Sequence, residues 1–141
     1  DMIYNLVHRV KCDIVVWAHC TNPLIGSAVY DNAIEVFIKK LEQGYDSLAS
    51  VTKVQEHLFD KSFMPVNFNP WGKRHPLAPE LDSYYKLNGA IFIQHQNSME
   101  KNSYFFGQNP YLFETDELLS IDINTSEDLD YARYIHSLSS K

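Results

Sequence analysis

The sequence predicts an α/β fold: a mostly parallel sheet covered by helices on both faces, in three layers. Three observations carry that prediction. The run DIVVWAH at 13–19 is apolar almost without interruption, as in an interior strand shielded on both sides. Tyr30, Ile34, Phe37, Ile38 and Leu41 follow it at helical spacing, and SLASVTKV at 47–54 then reads as a second strand. Strand, helix, strand in that order is a βαβ unit with a right-handed crossover.

Taken in order, the chain opens with Ile3, Leu6, Val7 and Val10 at helical spacing, so 2–10 reads as the body of a helix rather than a natural beginning. After the first strand, CTNPLIGS at 20–27 is a loop in which Pro23 blocks a helix, Gly26 supplies backbone freedom and Ser27 is suited to capping the next helix. Gly44 is that helix's natural stop. Residues 57–87 hold Pro65, Pro70, Pro76 and Pro79 together with Phe68, Trp71, Tyr84 and Tyr85. They are too aromatic for a disordered linker and too broken for regular core, and read as an irregular excursion that packs against something, a second subunit being one candidate. GAIFIQ at 89–94 is a short strand, NSMEKNS at 97–103 one or two helical turns, and PYLFET at 110–115 another strand. LLSIDIN at 118–124 reads as a last strand. A final helix spans 126–138, capped by Thr125 or Ser126, with Glu127, Asp128 and Asp130 near its positive end and Leu129, Ala132, Ile135 and Leu138 along its apolar stripe.

At 141 residues the chain fits a single domain, 1–141, able to bury roughly 68–70% of the surface its unfolded form exposes. A hydrophobic fraction of 45% and a charged fraction of 21% set wholesale disorder aside. The net charge of -6 argues against a nonspecific nucleic-acid or anionic-membrane surface, so an anionic substrate must meet a local positive patch. The longest apolar runs fall far short of the roughly 20 residues of a membrane-spanning helix. The first residues, DMIYNLVHRVKC, lack the basic region and cleavage site of a secretory signal, so a cytoplasmic protein is expected. Cys12 and Cys20 flank the first strand and read as free thiols. The sequon NTS at 124–126 is then chance composition.

In open α/β sheets ligands bind beyond the carboxyl ends of the strands. Two segments there stand out, HCTNPL at 19–24 and DIN at 122–124. At i and i+2 on a strand, Asp122 and Asn124 share a face, where a carboxylate and an amide oxygen can hold Mg2+ directly or through water. The competing reading is that both satisfy backbone donors at a strand-to-helix junction. His19, Thr21 and Asn22 can hydrogen-bond a base, a ribose or a phosphate, or simply tie down their own loop. Lys73, Arg74 and His75 form the one compact basic triplet, either a solvated loop or an anion contact. Phe105 and Phe106 are either core or a ligand platform. None of the six histidines pairs at HxH or HxxxH spacing, which leaves zinc little support. The nucleophile pattern G-x-S-x-G is missing, and five isolated glycines exclude both G-x-x-x-x-G-K-S/T and G-x-G-x-x-G.

In order, HCTNPLIGSAVYDNAIEVF, DSLASV, YYKLNGAIFI, YFFG and LLSIDINTSEDLDYA resemble the second half or more of the acylneuraminate cytidylyltransferases, the CMP-sialic acid synthetases, over nearly the whole chain. The resemblance implies a partial Rossmann-like nucleotide-diphosphosugar transferase fold and a homodimer. It implies a reaction in which the hydroxyl of an acidic sugar such as N-acetylneuraminate attacks the α-phosphorus of CTP, pyrophosphate leaves and a CMP-sugar forms, with Mg2+ neutralising phosphate charge. The family's metal-binding D-x-D aligns with Asp122 and Asn124, which makes Asp122 the catalytic candidate. Its Q-x-T-S-P-L-R loop near the nucleotide aligns with His19, Thr21, Asn22, Pro23, Leu24 and Ile25, and its NGAI asparagine with Asn88. Its aromatic pair beside the sugar's acyl group resembles Phe105 and Phe106. The segment around Lys73 and Arg74 corresponds to one that crosses to the partner subunit and lends basic residues to the sugar carboxylate. Asn124 stands where the family has an acid, Ile25 where arginine is frequent, and the family's loop for the CTP triphosphate has no counterpart. The expectation is the C-terminal, sugar-binding and dimer-forming portion of such an enzyme, incomplete for CTP turnover by itself. The alternatives are a cytidylyltransferase for a related acid sugar, of 3-deoxy-octulosonate or pseudaminate type, and a non-catalytic dimerisation or sugar-binding module.

Overall fold

A computed structural model describes residues 2–139; the ends of the expected 1–141 domain lie outside the described residues. The elements are α1 (Met2–Val7), β1 (Ile14–Ala18), α2 (Ser27–Leu41), β2 (Ser47–Val54), a 3-10 turn (Ala78–Glu80), β3 (Tyr84–His95), α3 (Gln96–Asn102), β4 (Pro110–Glu114) and α4 (Ser126–Ser139). Strand β2 covers the 47–54 expected from the sequence, and α2 follows its predicted stripe with one adjustment. Ala33 and Phe37 are buried while Ile38 is exposed, so the buried stripe is centred on Phe37. Gly26, not Ser27, is the N-cap. Gly44, at φ 87, closes the helix and lets Tyr45 N–H reach back to the Lys40 carbonyl at 3.2 Å.

The four strands form one mixed sheet in the order β1-β3-β2-β4. β3 is antiparallel to both β1 and β2, whereas β2 and β4 are parallel. The expectation of a mostly parallel sheet is therefore corrected. β1, β2 and β4 point the same way, but β3 runs against them and separates the two strands of the βαβ unit. The physical reason lies in the connection. The chain leaves β2 at Val54 and returns at Tyr84 through the Pro-rich excursion, with no crossover helix to carry it back to the other end of the sheet. The expectation of an interior strand at 13–19 is corrected as well: β1 is an edge strand paired to β3 alone, its residues are half-buried or exposed, and its apolar run says nothing about the direction of its neighbour.

The sheet carries apolar packing on both faces. On one face Ala33 and Phe37 of α2 pack against Leu48, Ile91, Ile93 and Phe113, with Ile14 at the margin. On the other, Ile3 and Val7 of α1 and Met99 of α3 enclose Val15, Trp17 and Phe105. Ile14 and Val15 thus serve opposite faces, as the pleat demands.

Two further boundaries differ from expectation. Residues 84–87 belong to β3 and not to the excursion. Residues 118–124 are not a strand: 118 and 119 lie in a turn and 120–124 are irregular, so Asp122 and Asn124 owe their proximity to local folding and not to a pleat. β3 also carries a bulge, because Phe92 pairs with Ala49 and Leu87 with Val51, leaving 88–91 opposite Ser50 alone. Gly89 takes φ 77 there, a conformation side chains resist.

Candidate functional site

A cleft of about 750 Å³ opens at the carboxyl end of β2, beside the segment that follows β4, and its wall includes Lys86, Asn88, Glu117, Asp122, Asn124 and Asp128. Both segments that the sequence singles out meet at this end of the sheet. Ile123 N–H donates to the Thr21 carbonyl at 2.8 Å. The Thr21 hydroxyl and then the Asn124 amide hydrogen-bond the Asp122 carboxylate and hold its pKa below the ordinary value, so the group is ionised at neutral pH.

Asn124 turns its amide nitrogen, not its oxygen, toward Asp122 Oδ2 at 2.9 Å. Its backbone is fixed from the other side: Asn124 N–H and Thr125 N–H both donate to Asp128 Oδ2, at 3.0 and 2.9 Å. Asp128 N–H donates in return to Thr125 Oγ1 at 3.2 Å. Thr125 is therefore the cap, in a capping box with Asp128 in the acid position. The donor set suits a hard divalent cation at one point, an exposed and ionised carboxylate on Asp122; Asn124 orients that carboxylate instead of adding an oxygen beside it.

Asn88 lies beside the cleft floor but is only 6% exposed. Its Oδ1 accepts from Ser50 Oγ at 2.6 Å and Ala90 N–H at 3.2 Å. Its Nδ2 donates to Thr52 Oγ1 at 3.0 Å and Thr115 Oγ1 at 2.8 Å. A primary amide has two donor hydrogens and two acceptor lone pairs, so its capacity is filled inside the protein. Ser50 completes the repair of the bulge by accepting from Ile91 N–H at 2.8 Å, and Ser120 Oγ reaches Thr115 Oγ1 at 2.7 Å. The sequence reading misses this hydroxyl network. Its one legible trace is Ser50 and Thr52, two hydroxyls at i and i+2 on one strand.

His19 is likewise engaged. A carbonyl can only accept and an indole N–H can only donate, so His19 Nδ1 carries the proton given to Gly89 O, and Nε2 accepts from Trp17 Nε1 at 3.1 Å. Its ring lies edge-on to Phe105 and Phe92. Phe105 stacks on Phe92 with centroids 5.0 Å apart, and Phe106 does so at 6.0 Å. His19, Phe105 and Phe106 thus form an aromatic cluster around Phe92, off the cleft wall, with Phe105 packed against the Ile3, Val7 and Met99 core. Asp46 holds the loop that carries the two phenylalanines, accepting from Gln108 N–H at 2.7 Å and Asn109 N–H at 3.0 Å.

Lys73 and Arg74 are not brought to this cleft. Arg74 lines a separate recess in the excursion and makes a two-pronged ion pair with Glu80, both contacts at 2.7 Å. That guanidinium and the Leu77 N–H hold the Glu80 carboxyl down at about 2. His75 stacks on His57 with centroids 4.2 Å apart, leaving Lys73 as the exposed, uncommitted cation of the triplet among the described residues. Cys12 and Cys20 are exposed free thiols. No helix of the described residues is long and apolar enough to cross a membrane. No protein-family model and no curated protein matches the chain.

Proposed function

We propose that the chain supplies the acid-sugar and cation side of a cytidylyltransferase site, serving transfer of CMP from CTP to the hydroxyl of an acidic nonulosonic sugar such as N-acetylneuraminate, with release of pyrophosphate. One observation carries this reading: loop 19–22 is bonded to segment 120–124, and that segment lines a cleft at the carboxyl end of β2, the end of the sheet where α/β proteins hold their ligands. The ordered likeness of the motifs to acylneuraminate cytidylyltransferases supports it from the sequence side. In this reading Asp122 holds Mg2+ with water completing the shell, while Thr21 and Asn124 orient the carboxylate. Bound there, the ion neutralises charge on the nucleotide's phosphates. Lys86 on the cleft wall suits an anionic group of the ligands.

A homodimer belongs to the same reading. Phe59, Phe63, Met64 and Trp71 of the excursion are exposed, Phe63 at 85% and Trp71 at 77%, and a partner subunit covering them carries Lys73 and Arg74 toward a neighbouring cleft. Arg74 then exchanges Glu80 for a sugar carboxylate of the same shape. A monomer mass by sedimentation at micromolar concentration counts against this part.

The binding test is an NMR titration of the isotope-labelled chain, in Mg2+ and CMP, with N-acetylneuraminate, 3-deoxy-octulosonate and the neutral sugar N-acetylmannosamine. Acid sugars should shift the amide signals of 88–90 and 121–125, and the neutral sugar should not. Equal shifts with all three sugars, or none at millimolar concentration, reject the reading.

A further inference from the structure

We infer that Asn22 is the positioning residue for Asp122, an inference that rests on the cation role proposed for that carboxylate. Asn22 is 3% exposed and lies under the cleft, off its wall. Its Nδ2 sits 3.2 Å from the Ile121 carbonyl and 3.4 Å from those of Ser120 and Asn88. Three carbonyls converging on one side chain can only be met by its nitrogen, which fixes the amide's orientation. Its Oδ1 is left buried and without a partner. The side chain gives up its own acceptor to keep both hydrogens on the backbone of β3 and of the segment that follows β4.

The consequence falls on Asp122. Just before it, the Ile121 carbonyl is held by Asn22; just after it, Ile123 N–H is held by the Thr21 carbonyl at 2.8 Å. Asp122 is therefore fastened on both sides to adjacent residues of one loop, and its carboxylate takes the Thr21 hydroxyl as well. Asn22 has no hydrogen left for a nucleotide. It acts through Asp122, setting where the carboxylate stands before any cation arrives.

Asn22→Asp tests this, because it keeps the side chain's shape and replaces the donor with an acceptor that the three carbonyls repel. Amide hydrogen exchange at Ile123 should accelerate about tenfold or more while the sheet amides of Leu48 and Ile93 keep their protection. Mn2+, used as the probe cation, broadens the Asn124 and Thr125 amide signals of the unsubstituted chain, and its midpoint should rise severalfold in the variant. Unchanged exchange at Ile123, acceleration of all amides alike, or an unchanged Mn2+ midpoint each overturns the inference. Asn22→Ala, which removes the donor without adding charge, gives the same readings if Asn22→Asp does not fold. If Mn2+ leaves the unsubstituted chain unaffected, the cation role of Asp122 is rejected, and the exchange at Ile123 alone decides whether Asn22 holds the segment.

Discussion

Replacing Asn88 by Ala separates a structural asparagine from a ligand-binding one. The substitution removes the partner of Ser50 Oγ, Thr52 Oγ1, Thr115 Oγ1 and Ala90 N–H at once, all at buried residues. The hydroxyls recover in part: Ser50 keeps Ile91 N–H, and Thr115 keeps Ser120 and the Val51 carbonyl at 3.3 Å. Ala90 N–H cannot rotate and is stranded. One stranded donor at about 1–3 kcal/mol, with part of the net value of three further bonds, puts the loss at about 3–4 kcal/mol. Urea denaturation measures it directly: the midpoint should fall while the slope stays the same, since the surface exposed on unfolding hardly changes. A loss below about 1 kcal/mol refutes the reasoning, because an amide that deep with four good bonds cannot be that cheap to delete. That result, joined to abolished sugar binding, returns Asn88 to the ligand role suggested by the resemblance.

The aromatic loop offers two more tests. A Cβ at Gly107 falls 2.5 Å from the Asp46 carboxylate, so Gly107→Ala must swing that group off Gln108 and Asn109. It should cost about 1–3 kcal/mol by thermal unfolding. Burial raises the Asp46 pKa, but hydrogen bonds from Ser47 Oγ and from the Asn109 and Gln108 amides outweigh it, so the net shift is downward. A carboxyl lowered on folding stabilises the fold above its unfolded pKa, and that contribution fades as pH falls through the folded value. The stability deficit of Asp46→Asn should be full at neutral pH and shrink once pH drops below the ordinary value of 3.8. A deficit that is the same at pH values above and below 3.8 refutes the assignment.

What the sequence reveals and what it hides follow from the range of the forces involved. Strand β2, helix α2 and the cap of α4 are legible because their determinants are local: a short run set off by Gly44, helical spacing, and Thr125 three residues before Asp128. The direction of β3 is not, because it depends on which end of the sheet the excursion returns to. The segment 118–124 looks like a strand by alternation, yet β4 already ends the sheet and the chain instead turns, with Ser120 N–H bonding the Asp116 carbonyl at 3.0 Å. Asn88 stands out only as a residue type; its partners Ser50, Thr52 and Thr115 lie 38, 36 and 27 positions away. The Arg74–Glu80 pair was within reach of sequence reasoning, since Pro76 and Pro79 fold the six intervening steps back on themselves.

The tripeptide at the centre of the resemblance, Asn88-Gly89-Ala90, has a complete structural account. Asn88 saturates the hydroxyls under the bulge, Gly89 supplies φ 77, and Ala90 is 0% exposed in the core. None of the three needs a ligand to explain it. A likeness at this tripeptide therefore speaks for a shared bulged strand before it speaks for a shared substrate. Asp122 is different. It stands exposed and ionised at a cleft rim, with Thr21 and Asn124 turned toward it and two backbone bonds fastening its flanks. The Thr21 and Asn124 bonds give its charge a modest share in stability, as its lowered pKa requires, but those bonds lie at an exposed rim and not in the core. Asp122→Ala should therefore lower the urea midpoint of the chain only slightly, far less than Asn88→Ala does, and remove its response to Mn2+.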